Sequence, residues 1–175
     1  LKAKGIIPLS EIEKIDKNSV ICKIKREIES SSESNINIDI LQGLPKADKM
    51  ELIIQKSTEL GAKEITPVNM ERCIVKINAK DESKKINRWQ KIAEVAAKQS
   101  RRDIIPKVNN IINLKDLEKK ESNYDCILVA YEKEESNTLK NELIKLKEVL
   151  KVKKNINIAV VIGPEGGFAE SEIKN

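Results

Sequence analysis

NIAVVIGPEGGFAESEI, residues 157–173, joins an apolar run to a glycine-rich turn and a polar, helix-like segment. Ile158 to Ile162 is an unbroken apolar run of strand length without polar alternation, which predicts a strand buried on both faces. It breaks at Gly163-Pro164-Glu165-Gly166-Gly167, and from Ala169 onward the sequence predicts the first turn of a helix. A strand that runs through a glycine-rich loop into a helix is where an α/β sheet binds small ligands. The three glycines lack Cβ, so the backbone there can take positive φ and approach a ligand closely. Pro164 stiffens the turn, and Glu165 is the one charge delivered into it. A plain tight turn has the same composition. No Gly-Lys-Ser/Thr and no GxGxxG is present, which argues against the two familiar nucleotide loops.

Working outward, Cys126 to Ala130 is a second unbroken apolar run, expected to be a central strand. It leads into Tyr131-Glu132 and then a helix with Leu139, Leu143, Leu146 and Leu150 on one core-facing stripe. Further upstream, Ile36, Ile38 and Ile40 alternate with Asn37 and Asp39 as in a half-buried strand. The next helix is expected to carry a capping box of Asp48 and Glu51 and an inner face of Met50, Ile53, Ile54, Ser57 and Leu60, with Gly61 as its stop. Glu64 to Val68 is another short strand, so the segment is a βαβ unit with a parallel strand pair. Repeated strand–helix order predicts an α/β domain with a mostly parallel sheet.

The longest helical signal covers residues 81–102. Ile86, Trp89, Ala93, Ala96 and Ser100 trace the face expected on the sheet, while Lys84, Arg88, Lys91, Lys98 and Arg102 trace another. Trp89 is therefore expected buried, and Arg88 and Lys91 exposed. Lys80 to Lys107 holds nine basic and four acidic residues, an excess of five that equals the net charge of +5 for the whole chain. Such a face suits plain solvation or a stripe that tracks RNA phosphates; concentration of the whole excess favours the stripe.

The 175 residues are 39% hydrophobic but only 2% aromatic, so the core is aliphatic and bases find no stacking platform. There is no His, and Cys22, Cys73 and Cys126 are scattered singly, which argues against a zinc site, a His-based triad or a disulfide framework. Single cysteines and the lack of a long apolar run suit a cytoplasmic protein. Residues 1–30 are expected to be the end of a small β-rich domain, with a strand at Ser19 to Lys25, and Glu29 to Asn35 a polar linker. A first residue Leu1 and a last residue Asn175 just inside a helix suggest a fragment at both ends.

Several stretches together resemble the RsmE family of small-subunit ribosomal RNA uridine-N3 methyltransferases, in the SPOUT superfamily. They are Leu44-Pro45-Lys46, Lys49-Met50, Gln55-Lys56, Thr58 to Gly61, Pro67-Val68, Glu71-Arg72, Arg88-Trp89, Ala96-Ala97, Gln99-Ser100, Arg102, Pro106 and Ile162 to Phe168. The resemblance covers about residues 36–175 and lies in order and spacing rather than in one generic motif.

The resemblance implies a trefoil-knotted α/β methyltransferase domain over residues 31–175, preceded by the remnant of a PUA-like RNA-binding domain. It further implies S-adenosylmethionine (SAM) as cofactor, a homodimer, 16S ribosomal RNA in the 30S subunit as partner, and no metal or membrane. Cofactor contacts would come from Leu128, Val129, Ala130, Tyr131 and Glu132 and from Ile162, Gly163, Pro164, Glu165, Gly166 and Gly167. Arg72 and Arg102 would supply positive charge to the uracil oxygens, with Glu165 as base or as a loop-ordering group. RNA contacts would be Lys46, Lys49, Arg72, Arg88, Lys91, Lys98, Arg101 and Arg102, although a solvated loop accounts equally for Lys46 and Lys49. Where the family has Gly, this chain has Arg101, and the family's closing Leu-Gly-x-Arg-Ile-Leu-Arg segment of the knot does not follow before Asn175. The other readings are a non-catalytic RNA-binding protein and a SPOUT methyltransferase acting on another RNA.

Overall fold

The structure is a computed structural model that describes residues 6–29 and 33–173. The chain divides into two compact units, Leu1–Glu33 and Ser34–Asn175. Ser30 to Ser32 of the expected linker, and the last two residues of the expected C-terminal helix, lie outside the described residues.

The first unit is an antiparallel hairpin of β1 (Ile6–Ile15) and β2 (Val20–Glu29), closed by a turn in which Asp16 N–H donates to Ser19 O. Irregular register at Leu9/Ser10 and at Ile12/Lys14 twists the ribbon. Leu9, Ile12, Ile15, Val20, Ile21 and Ile24 stay exposed on it.

In the second unit β3 (Ile36–Gly43), β4 (Glu64–Asn69), β7 (Cys126–Ala130) and β8 (Ile156–Ile162) form a parallel sheet with two short strands, β5 (Lys107–Val108) and β6 (Ile112–Asn113). The lateral order is β5-β4-β3-β8-β7, with β6 also on β4. The expected βαβ unit is there: β3 and β4 pair in parallel across α1 (Lys49–Glu59). Strand β8 lies between β3 and β7 with Ile156, Ile158, Ala159 and Val161 buried, as its apolar run predicts.

Three strand and helix expectations need correction. Strand β3 is interior, not one-sidedly wet: Asn37 donates to Asn157 Oδ1 at 2.8 Å, and Asp39 bonds Tyr124. Burial pushes the Asp39 carboxyl above its ordinary value, and burial together with the Asp39 charge pushes the Tyr124 hydroxyl up to about 12. Strand β7, expected central, is an edge. The first three residues of its apolar run are partly covered on both faces, Ile127 against the main core and Cys126 and Leu128 with Leu146, Ile156 and Ile158, while Val129 and Ala130 are exposed; lateral pairing leaves no mark on such a run. Of the leucine stripe on α3 (Leu139–Leu150), only Leu146 is fully buried, and Leu139 and Leu143 are exposed.

Helix α1 buries Met50, Ile54 and Thr58 rather than ending its inner face at Leu60, which is 87% exposed. Spacing of four carries the buried line to Thr58 and turns Leu60 outward. Asp48 makes no side-chain cap, and Glu51 pairs with Arg88 at 2.8 Å instead. Gly61 ends the helix at φ 102, as expected. Helix α2 (Ala79–Gln99) buries Trp89, Ala93, Ala96 and Ala97, of which Trp89 and Ala93 share one core with Leu41, Ile54, Ile65 and Val161. Arg88 and Lys91 are exposed. Arg102 is not on the exposed stripe: it lies past the helix end, and its guanidinium donates to Thr58 O (3.2 Å) and Ala62 O (2.6 Å).

Candidate functional site

Because β3, β4, β7 and β8 are parallel, the loops after Gly43, Asn69, Ala130 and Ile162 all leave the same edge of the sheet. The segment Gly163 to Phe168 sits against the other three. Gly167 N–H donates to Pro164 O at 2.9 Å, a tight turn, and Gly167 alone of the three loop glycines has positive φ (67). Gly163 and Gly166 are instead closely packed. A Cβ on Gly163 would meet the Phe168 ring at 3.2 Å, and one on Gly166 would meet Arg72 Cβ at 3.2 Å. At Gly167 a Cβ would lie 2.5 Å from Glu132 Oε1, so the loops after β7 and β8 touch there.

Each neighbouring loop holds the glycine loop by a named contact. From β3, Gln42 is 95% buried and its side-chain amide donates to Gly43 O (2.9 Å) and Gly163 O (3.2 Å). Gly43 lies so close to Pro164 that a Cβ would approach its ring at 2.7 Å. From the loop after β3, Lys46 N–H (3.0 Å) and Lys49 Nζ (2.9 Å) donate to Glu165 Oε1, and Ala47 turns the chain between them at φ 51. From the loop after β4, Arg72 Nη1 donates to Gly166 O at 3.0 Å. Glu71 N–H donates to Glu172 Oε1 and Glu71 Oε2 accepts from Ser171 Oγ, while Glu172 Oε2 accepts from Ala169 N–H at the start of α4 (Glu170–Ile173).

The electrostatic consequence is greatest at Glu165. The Lys49 ammonium first, then backbone N–H groups including that of Lys46, hold its carboxyl down at about 2. A carboxylate so stabilised is ionised at neutral pH and a poor proton acceptor, so its geometry is that of an anionic latch.

Beside this edge a cleft of about 720 Å³ opens between β7, β8 and the 3-10 helix Leu114–Asn123. Val129, Tyr131, Val161 and Phe168 form apolar lining, with Tyr131 and Phe168 edge to face at 6.3 Å. Glu118, Glu121, Glu134 and Glu172 against Lys115 make the lining acidic. Its volume is that of a small-ligand site.

Of the residues singled out from sequence, Arg72, Glu165, Lys46 and Lys49 meet at the glycine loop. Val129 and Tyr131 line the cleft; Leu128 faces away from it, against Ile156 and Ile158. Arg102 does not join them within this chain. It sits where α1 turns into the start of β4, roughly 20 Å from the loop edge by strand length. Lys91, Lys98 and Arg101 are exposed, and Arg101 stands at φ 57, a left-handed conformation that suits glycine. Sequence reasoning missed Gln42, whose only signal was a polar side chain ending an apolar strand. It also missed the 3-10 helix, signalled by the Asn113/Asp116 capping box. Among the described residues, no group of three or more Cys, Asp or Glu could hold a metal, and no helix is long and apolar enough to cross a membrane.

Residues 32–175 match a family model described as an RNA methyltransferase domain. The chain is 35% identical, over 94% of its length, to the ribosomal RNA small subunit methyltransferase E of Bacillus subtilis, and covers 63% of that protein. It is 32% identical to the enzyme of the same name from Mesomycoplasma hyopneumoniae, covering 90% of this chain and 64% of that one. A ribosomal RNA small subunit methyltransferase E from Neisseria gonorrhoeae, solved bound to S-adenosyl methionine, superposes with a TM-score of 0.79 at 29% identity, covering 98% of this chain and 66% of its own. The chain spans less than two thirds of the length of each of these relatives.

Proposed function

The chain belongs to the RsmE family of RNA methyltransferase domains, and from that premise we propose that it serves SAM-dependent methylation of 16S ribosomal RNA at N3 of a uridine. The observation that carries the reading is the glycine loop after β8, latched to the loops after β3, β4 and β7 on one edge of a parallel sheet. That edge is where open α/β sheets bind ligands. The residues present fit a cationic cofactor: Gly167 leaves no room for a side chain beside the Glu132 carboxylate, and the adjoining cleft is acidic.

The segments that would hold SAM are Leu128 to Glu132 and Ile162 to Gly167. When bound, SAM supplies an electrophilic sulfonium methyl. This chain's own contribution is then preorganisation. Gln42, Lys46 and Lys49 fix the loop, and Arg72 spends one of its five N–H donors on Gly166 O. The remaining donors of Arg72 can stabilise negative charge that develops on a uracil oxygen as N3 loses its proton. Glu165 serves the loop rather than the proton. Arg102 ties down α1. The same proposal includes a PUA-like origin for residues 1–30, a trefoil knot, a homodimer, and a cytoplasmic place beside the 30S subunit.

Transfer of labelled methyl from SAM to unmodified 30S particles, mapped by nucleoside mass spectrometry, tests the reading. The chain is run beside a form extended to the length of its relatives. Label in 3-methyluridine supports it. RNA retention without any label from either form would favour a non-catalytic RNA-binding protein, and label in another nucleoside a different SPOUT activity.

A further inference from the structure

Helices α1 and α2 enclose a second cavity of about 870 Å³, a groove lined by Gln55 and Glu59 on one side and by Lys84, Asn87, Lys91, Val95 and Gln99 on the other. We propose that this groove holds a single-stranded segment of the RNA substrate and leads it to the methyl-transfer edge, an inference that rests on the reading of the chain as a ribosomal RNA methyltransferase.

The argument begins with which cations are spent. Lys49 is bound to Glu165, Arg88 to Glu51, Arg72 to Gly166 O and Arg102 to two carbonyls of the α1–β4 turn. Lys85 lies over the Trp89 ring at 6.0 Å. Lys84 and Lys91 are exposed and, among the described residues, pair with no carboxylate. They stand two helical turns apart, about 10 Å along α2, and both line the groove. Lys84 and Lys91 therefore face a concave surface, where positive charge attracts a polyanion most strongly, whereas the exposed Lys80 and Lys98 of the same helix lie outside it.

The groove also offers what a base needs. The carboxamides of Asn87 and Gln99 have no partner among the described residues, and each presents a donor and an acceptor to a base edge. Val95 is 58% exposed and gives a base face an aliphatic surface. Trp89 is 4% exposed and cannot stack. Recognition of this kind needs unstacked bases, which favours a single strand over a duplex. The groove has a direction too. Lys49, the first residue of α1, touches Glu165 of the glycine loop, and the Arg88–Glu51 pair stands half a turn below it. A strand lying in the groove thus runs from the amino ends of the sheet towards the loop edge.

Binding of a fluorescent single-stranded oligoribonucleotide across a salt series tests this. Three forms are compared: the unaltered chain, Lys84→Glu/Lys91→Glu, and Lys140→Glu/Lys147→Glu on α3, which changes the net charge equally. At about 0.7 per lost phosphate contact, the groove pair should lower the slope of log affinity against log salt by about 1.4. The α3 pair should leave that slope unchanged, and melting temperature should not move in either. Lys84→Gln/Lys91→Gln should reproduce the loss of slope. Equal losses in both charge-reversed pairs, no loss in the groove pair, or equal affinity for a duplex of the same length would overturn the proposal. Methyl transfer by the unaltered chain separates the two readings: transfer with an unchanged slope in the groove pair removes only the groove. A chain that neither binds nor methylates RNA removes both.

Discussion

Glu165 shows how a residue picked for chemistry serves geometry instead. Its carboxylate accepts from the Lys46 backbone and the Lys49 ammonium and titrates at about 2 instead of its ordinary 4.5. Because the folded value is depressed, its contribution to stability is complete above pH 4.5 and is lost as pH falls from there through about 2. An NMR titration of the Glu165 side-chain carbon should give a midpoint near 2, moving towards 4.5 in Lys49→Ala; a midpoint already near 4.5 in the unaltered chain would mean that the latch is open in solution. Arg101 illustrates the opposite trade. At φ 57 it bears a backbone conformation that costs a side-chain-bearing residue about 1 kcal/mol. Arg101→Gly should therefore raise stability by about 0.5–1 kcal/mol in urea unfolding, and a loss of stability would show that its side chain makes a compensating contact.

Elements are held by contacts that cross long stretches of sequence. Lys46 and Glu165 are 119 residues apart, and Arg72 and Gly166 are 94 apart. Arg102 does comparable work at the opposite end of the sheet, where it satisfies two carbonyls at the turn between α1 and β4. Arg102→Ala should cost about 1–3 kcal/mol in urea unfolding, the penalty for stranding such acceptors, with SAM affinity unchanged. Unaltered stability with lost methyl transfer would return Arg102 to the uracil-facing role that the resemblance implies. The order of strands and helices was legible because burial imposes a period on sequence: β8 and the Trp89 face of α2 follow from it directly. The edge position of β7 was not, since two-face cover and lateral pairing are independent. Within the site, the glycine loop could be recognised by composition and spacing. Its partners Gln42 and the Lys46 backbone could not, because only the parallel register of separate strands brings them to the loop.

At the scale of the whole molecule, the chain combines a hairpin on which Leu9, Ile12, Ile15, Val20, Ile21 and Ile24 stay exposed with a parallel α/β unit that matches the RNA methyltransferase domain model. Charge is divided within the α/β unit: acidic lining in the cleft beside the glycine loop, unspent lysines in the groove between α1 and α2. That division suits a cationic cofactor in the cleft and, under the proposal above, a polyanion in the groove; the two linings have no residue in common. The most direct measurement is hydrogen exchange of the chain with and without SAM. Protection on adding SAM should concentrate in residues 128–132 and 162–167, with α3 unchanged. No protection, or protection confined to elements away from that edge, would contradict the assignment of the strand-end loops as the cofactor site.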